Sequence, residues 1–111
     1  MKVSDWKGKD ELGDIIKSPG KHLIVFAAKW CGFCSRFLSN AKSLESNLDA
    51  EIELIDADEP DESLWDQYSI KIVPTILVMK DGKQLFRRDG RSMAGLSESD
   101  LRQALDAISA V

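Results

Sequence analysis

Apolar residues recur along this chain in two rhythms. Leu23-Ile24-Val25-Phe26-Ala27-Ala28 is an unbroken apolar run of strand length. Such a run offers no polar face to water, so it predicts a central strand covered on both sides. Beyond it Cys34, Phe37, Leu38, Ala41, Leu44 and Leu48 return every three or four positions. That spacing places them on one face of a helix from about Gly32 to Leu48. Ile52, Leu54 and Ile55 give a second strand, and Thr75-Ile76-Leu77-Val78-Met79 a third. Asp81-Gly82 is a hairpin signal leading into Gln84-Leu85-Phe86-Arg87-Arg88. Leu12, Ile15 and Ile16 predict a first helix, weakened by Gly13 and ended by Ser18-Pro19-Gly20. Leu64, Trp65 and Tyr68 predict a short helix after Pro60, a residue tolerated in a first turn. Ser97 with Asp100 resembles a capping box, and Leu101, Leu105 and Ile108 form the apolar face of a last helix.

The predicted order is α-β-α-β-α-β-β-α, with a short strand at Val3 to Trp6 added in front. A strand-helix-strand crossover implies parallel pairing, and the hairpin adds antiparallel strands. The expected fold class is α/β, a mixed sheet with helices on both faces. The 111 residues suggest one domain over 1–111, with no repeat or linker. A chain of this length buries roughly two-thirds of its unfolded surface, enough for a core without staples. The net charge of −4 argues against nucleic acid, which needs a concentrated basic face. No apolar run precedes Leu23, so neither a signal peptide nor a membrane span is expected, and the cytoplasm is the expected compartment.

The chemistry lies in Trp30-Cys31-Gly32-Phe33-Cys34, which holds both cysteines. A disulfide across so short a ring hardly constrains an unfolded chain and adds little stability. The pair is better suited to chemistry, and in the cytoplasm disulfides are mostly transient and catalytic. The preceding strand and following helix put Cys31 near a helix N-terminus. Unpaired N–H groups and the positive dipole end there stabilise a thiolate, which lowers a cysteine below its free pKa of about 8.5. Cys34 follows one turn on, beneath Cys31 and more buried. Cys31 is therefore the expected nucleophile and Cys34 the resolving thiol. A structural zinc wants about four ligands. The chain offers two Cys and one His, with His22 at the far end of the strand, so no metal is expected unless two chains share one.

With these residues the chain resembles the thioredoxin family. Trp30-Cys31-Gly32-Phe33-Cys34 corresponds to its W-C-G-P-C segment, Val73-Pro74-Thr75 to its cis-proline segment, and Lys80-Asp81-Gly82 to its hairpin. The likeness runs from about residue 5 to residue 110. It implies the thioredoxin fold, a five-stranded mixed β-sheet flanked by four helices. It implies thiol–disulfide exchange that reduces client proteins, a separate thioredoxin-type reductase as electron donor, no bound cofactor and a monomer. Pro74 would be cis against the sulfurs, and the Val73 backbone would pair with an extended client segment. Trp30, Gly32, Phe33 and Gly90 would border that groove, with Asp56 accepting the Trp30 indole N–H. An oxidase or isomerase of the same fold, or a binding module without turnover, are the alternatives.

Three departures from the family pattern stand out. Phe33 replaces a proline, which implies a somewhat less reducing couple. Val25 stands where the family has a buried aspartate, and Ile52 where it has that aspartate's lysine partner. An apolar pair can replace a buried charged pair at little loss, but it leaves Cys34 without a carboxylate to take its proton. The loop from Arg91 to Leu96 also looks longer than the usual pattern. Other groups have plainer readings. Asp56, Asp58, Glu59, Asp61 and Glu62 lack the glycine and distal glutamate of a calcium loop and read as solvated. Arg87, Arg88 and Arg91 read as edge protection, Lys29 as a solvated lysine and His22 as a surface residue.

Overall fold

The computed structural model describes residues 1–44, 51–57 and 68–110. In chain order the elements are β1 (Lys2–Val3), α1 (Lys9–Lys17), β2 (Lys21–Ala27), α2 (Gly32–Ser43), β3 (Glu51–Asp56), β4 (Thr75–Lys80), β5 (Lys83–Asp89) and α3 (Glu98–Ser109). The unbroken apolar run becomes β2, the middle of a five-stranded sheet ordered β1-β3-β2-β4-β5. β1 and β2 pair with β3 in parallel, whereas β4 pairs antiparallel with both β2 and β5. Residues Leu23 to Ala27 are buried on alternate faces without a break, as a strand covered on both sides requires. α2 and α3 touch each other, α3 crosses β2, β4 and β5, and α1 packs on β3. Val25 and Ile52 are fully buried within this core. None of the helices among the described residues is long and apolar enough to cross a membrane.

Local chemistry sets the boundaries. Ser18 ends α1 in an extended conformation, the bias expected of a residue before proline. Asp81 and Gly82 both take positive φ, 51° and 82°, which a two-residue hairpin with the correct twist demands. β1 is shorter than expected because the Ser4 hydroxyl accepts the Leu54 N–H at 2.9 Å, interrupting the main-chain ladder. α2 stops at Ser43, ahead of the expected end at Leu48. Leu44 is extended, its N–H donating to Ala41 O and its carbonyl accepting the Met1 amino group at 2.8 Å.

Three helices occur among the described residues, against the four expected. The fourth was expected at Leu64, Trp65 and Tyr68, of which Leu64 and Trp65 lie outside the described residues, as does the acidic run from Asp58 to Glu62, and Tyr68 lies in a turn. His22 is not a surface residue. β2 begins one residue ahead of it, so its ring is drawn into the sheet and largely covered, with Nδ1 3.0 Å from Glu53 Oε2.

Candidate active site

At the end of β2 the chain turns into α2, with the Cys31 N–H donating to Ala28 O. Cys31 is the N-cap of α2, and its Sγ accepts the Cys34 N–H at 3.1 Å. Serine, threonine, aspartate or asparagine oxygen usually satisfies this orphan donor. Here a sulfur does, and the helix thereby fixes the sulfur's position. Both cysteines are free thiols, Cys31 6% and Cys34 1% exposed. Burial pushes the Cys34 thiol up to about 12, and its hydrogen bond with Cys31 pushes the same way. Gly32 opens the helix, and a side chain there would meet nothing within 4 Å.

A second wall comes from the segment entering β4. The Val73–Pro74 peptide bond is cis, and the Cys31 thiol donates to Val73 O at 3.8 Å. The buried Thr75 hydroxyl donates to Ile72 O at 2.7 Å and pins the turn ahead of the strand. Gly90, just past β5, passes so close that a Cβ there would lie 2.6 Å from Pro74 O. Only glycine allows that approach without moving backbone.

The third wall is the loop after β5. Arg91 and Gly95 bond to each other through both main-chain groups, at 2.9 and 2.8 Å. Gly95 has φ +69°, and a Cβ on it would come within 2.8 Å of Phe33 Cβ. Behind this loop lies Asp100, 1% exposed. Arg91 donates to both of its oxygens, at 2.8 and 3.1 Å, and Arg88 to one at 2.9 Å. The Ser97 N–H and hydroxyl donate to Oδ2 as well. The Arg91 guanidinium holds the Asp100 carboxyl well below the usual carboxylate range.

Together the walls form a groove of about 250 Å³, bounded by Trp30, Phe33, Val73, Arg91 and Met93 and reaching Cys31. Trp30 stands 69% exposed on its rim. So Trp30, Cys31, Phe33 and Val73 meet at one groove, Gly90 supports it through Pro74, and Cys34 lies under Cys31. Asp56 sits on the neighbouring strand. β3 carries it beside Ala27, where its carboxylate faces Lys29 Nζ at 3.9 Å, while Trp30 turns outward. Lys29 is not simply solvated, since it also lies 5.6 Å from the centre of the Trp6 ring. The arginines do more than guard an edge. Arg88 and Arg91 converge on Asp100, and Arg87 donates to the carbonyls of Tyr68 and Ser69. Sequence reasoning missed Thr75, Asp100, Gly95 and Met93 as parts of the site. The Ser97–Asp100 pattern hinted at Asp100, and the extra loop length at Met93 and Gly95. Among the described residues no group of three or more His, Cys, Asp and Glu side chains is placed to hold a metal ion.

The site is a dithiol at a helix N-terminus, opened by an apolar groove and closed behind by a cis-proline segment. Known proteins are similar to this chain over most of its length. A thioredoxin of Chlamydia caviae is 32% identical over 85 residues, 73% of this chain and 74% of that protein. The chloroplastic thioredoxin F of Oryza sativa subsp. japonica is 28% identical over 103 residues, covering 90% of this chain and 52% of that protein. The chain thus spans about half the length of that relative. The X-ray structure of Fasciola hepatica thioredoxin superposes with a TM-score of 0.72 at 25% identity, over 97% of this chain and 99% of that one. Residues 7–107 match the thioredoxin family description, and the chain belongs to that family.

Proposed function

We propose that this protein is a thiol–disulfide oxidoreductase that reduces disulfides of client proteins by cycling Cys31 and Cys34. The observation that carries the reading is the Cys31 sulfur, fixed as the cap of α2 and facing a groove, with Cys34 one turn below. Negative charge on a sulfur at that position is stabilised by the helix N–H groups.

The Cys31 thiolate attacks one sulfur of the client disulfide. That S–S bond breaks, a Cys31–client bond forms, and the other client sulfur leaves as a thiolate that takes up a proton. Cys34 then attacks Cys31 Sγ and expels the second client sulfur. Val25 and Ile52 are apolar and buried in the core, and the Cys34 proton passes to that leaving thiolate. The client gains two electrons and two protons, and the chain keeps a Cys31–Cys34 disulfide. Turnover then needs a separate thioredoxin-type reductase, and no cofactor bound to this chain. The proposed setting is a monomer in the cytoplasm, where thiol-reducing systems keep such pairs reduced.

Insulin reduction tests this. Dithiothreitol-coupled precipitation of the insulin B chain should be fast with the native chain and fall to background with Cys31→Ser. Cys34→Ser should accumulate a covalent insulin adduct on Cys31. Activity that survives Cys31→Ser would overturn the assignment.

A further inference from the structure

We propose that the loop from Arg91 to Gly95 is a specificity element of the groove, and that Met93 is its reading residue. It selects client segments with a large apolar side chain beside the disulfide cysteine and a carboxylate next to that side chain. The proposal rests on the thiol–disulfide exchange put forward above and names the class of client that exchange would favour.

The loop is built as a rigid unit. The paired Arg91 and Gly95 main chains close it, and Ala94 N–H donates to Arg91 O at 3.1 Å. Each end is fixed to a different part of the fold. Arg91 is held by two hydrogen bonds to buried Asp100, and Gly95 is pressed on Phe33 with no room for a Cβ. What the closed loop carries outward is Met93, at φ +63° and 85% exposed. A left-handed backbone is uncommon for a long side chain and persists where the surroundings impose it. Among the described residues the large hydrophobic side chains that stand exposed are Trp30, Leu85 and Met93. Trp30 and Met93 both border this groove, and Leu85 does not.

Size and charge define the occupant. A dry apolar cavity of about 150 Å³ admits benzene. The groove of about 250 Å³ therefore takes an aromatic or branched aliphatic side chain. Met93 borders it with a flexible, polarisable thioether that adapts to several apolar shapes, so the preference is for a class of side chain. The charged residues lining the groove are Lys71 and Arg91, with no carboxylate among its walls. Arg91 is engaged by Asp100, and Lys71 makes no ion pair among the described residues. A client carboxylate would be attracted there and a client lysine repelled.

Single-turnover reduction of disulfide-linked peptides by the reduced full chain tests this. Three peptides differ only beside the cysteine, carrying Phe-Glu, Ser-Glu or Phe-Lys, and hydroxyethyl disulfide serves as a probe with no side chain for the groove. The Phe-Glu peptide should react about tenfold faster than Ser-Glu, the scale of one well-filled apolar pocket. It should react about threefold faster than Phe-Lys, the scale of one exposed ion pair. Met93→Ala should bring the first ratio below about threefold, and Lys71→Glu should invert the second. Met93 and Lys71 are both exposed, so neither variant endangers the fold. Equal rates for all three peptides, with hydroxyethyl disulfide still reduced, overturn the specificity proposal alone. A first ratio that Met93→Ala leaves intact does the same. Failure to reduce hydroxyethyl disulfide overturns the exchange reading, and this inference with it.

Discussion

The N-termini of α2 and α3 share one backbone design and hold their inner residues in different protonation states. In each, the N-cap side chain accepts the N–H of the third helical residue, Cys34 to Cys31 Sγ at 3.1 Å and Asp100 to Ser97 Oγ at 3.3 Å. In each, that third residue is almost wholly buried. Yet burial keeps Cys34 protonated, up to about 12, whereas Arg91 keeps Asp100 ionised. The first turn of α2 contains no acid, and Val25 and Ile52 in the core are apolar. α3 has acids in its first turn and two guanidiniums reaching over from β5 and its loop. The helix frame is common to both ends, and the neighbours decide the protonation state. One end holds two free thiols, the inner of which stays neutral. The other serves as a permanently charged anchor for the groove's third wall.

The sharpest way to break this comparison is to delete each inner residue. Asp100→Ala removes a reciprocal cap and several charge-assisted hydrogen bonds, and should cost about 2–4 kcal/mol in urea unfolding. The arginines keep partial access to water, so they are not stranded as buried charges. Cys34→Ala removes a single buried sulfur from an apolar site and should cost about 1 kcal/mol. Equal losses would mean that the α3 end is no anchor.

Smaller effects should appear at opposite ends of the pH scale. Asp100 is held below its ordinary value of 3.8, so its contribution is present above that pH and fades as the solution is acidified. Cys34 moves from 9.0 to about 12, so its contribution is complete below pH 9 and fades as pH rises toward 12. Half-buried Tyr68 is shifted upward too and adds to the same alkaline limb. Each one-proton limb has a slope of at most about 1.4 kcal/mol per pH unit. Asp100→Asn should flatten the acid limb alone, and Cys34→Ala should shallow the alkaline limb from pH 9 upward. Chemical denaturation across the pH range reads both. An alkaline limb unchanged in Cys34→Ala would remove the neutral thiol from the argument.

The contrast also explains what could be read from the sequence. The sheet was legible because β2 is an unbroken apolar run, and α2 and α3 because their apolar faces repeat at helical spacing. Cys31 was legible as a helix-start residue because that inference needs only the neighbouring strand and helix. The Ser97–Asp100 box was legible for the same local reason. The burial of Asp100 was not, since it depends on Arg88 and Arg91 reaching back across the fold. The ion pair of Asp56 with Lys29 was not legible, because strand register, which sets Asp56 beside Ala27, is not a local property. The extra length after Gly90 was visible, but its packing on Phe33 rests on a positive φ at Gly95 that residue spacing does not encode.

The subtlest expected difference concerns the caps themselves. If the Cys31 sulfur works as a cap as well as a nucleophile, the two roles separate by substitution. Cys31→Ser loses the chemistry but supplies a good N-cap oxygen, so its thermal midpoint should stay close to that of the reduced native chain. Cys31→Ala loses both roles and should cost about 1 kcal/mol, the usual penalty for a missing cap. Ser97→Ala at α3 provides the matched reference and should cost more, because Asp100 also accepts from the Ser97 hydroxyl. Equal stability of Cys31→Ser and Cys31→Ala would show that sulfur contributes nothing as a cap. The 3.1 Å contact would then serve the thiolate alone, and the two helix starts would share geometry without sharing energetics.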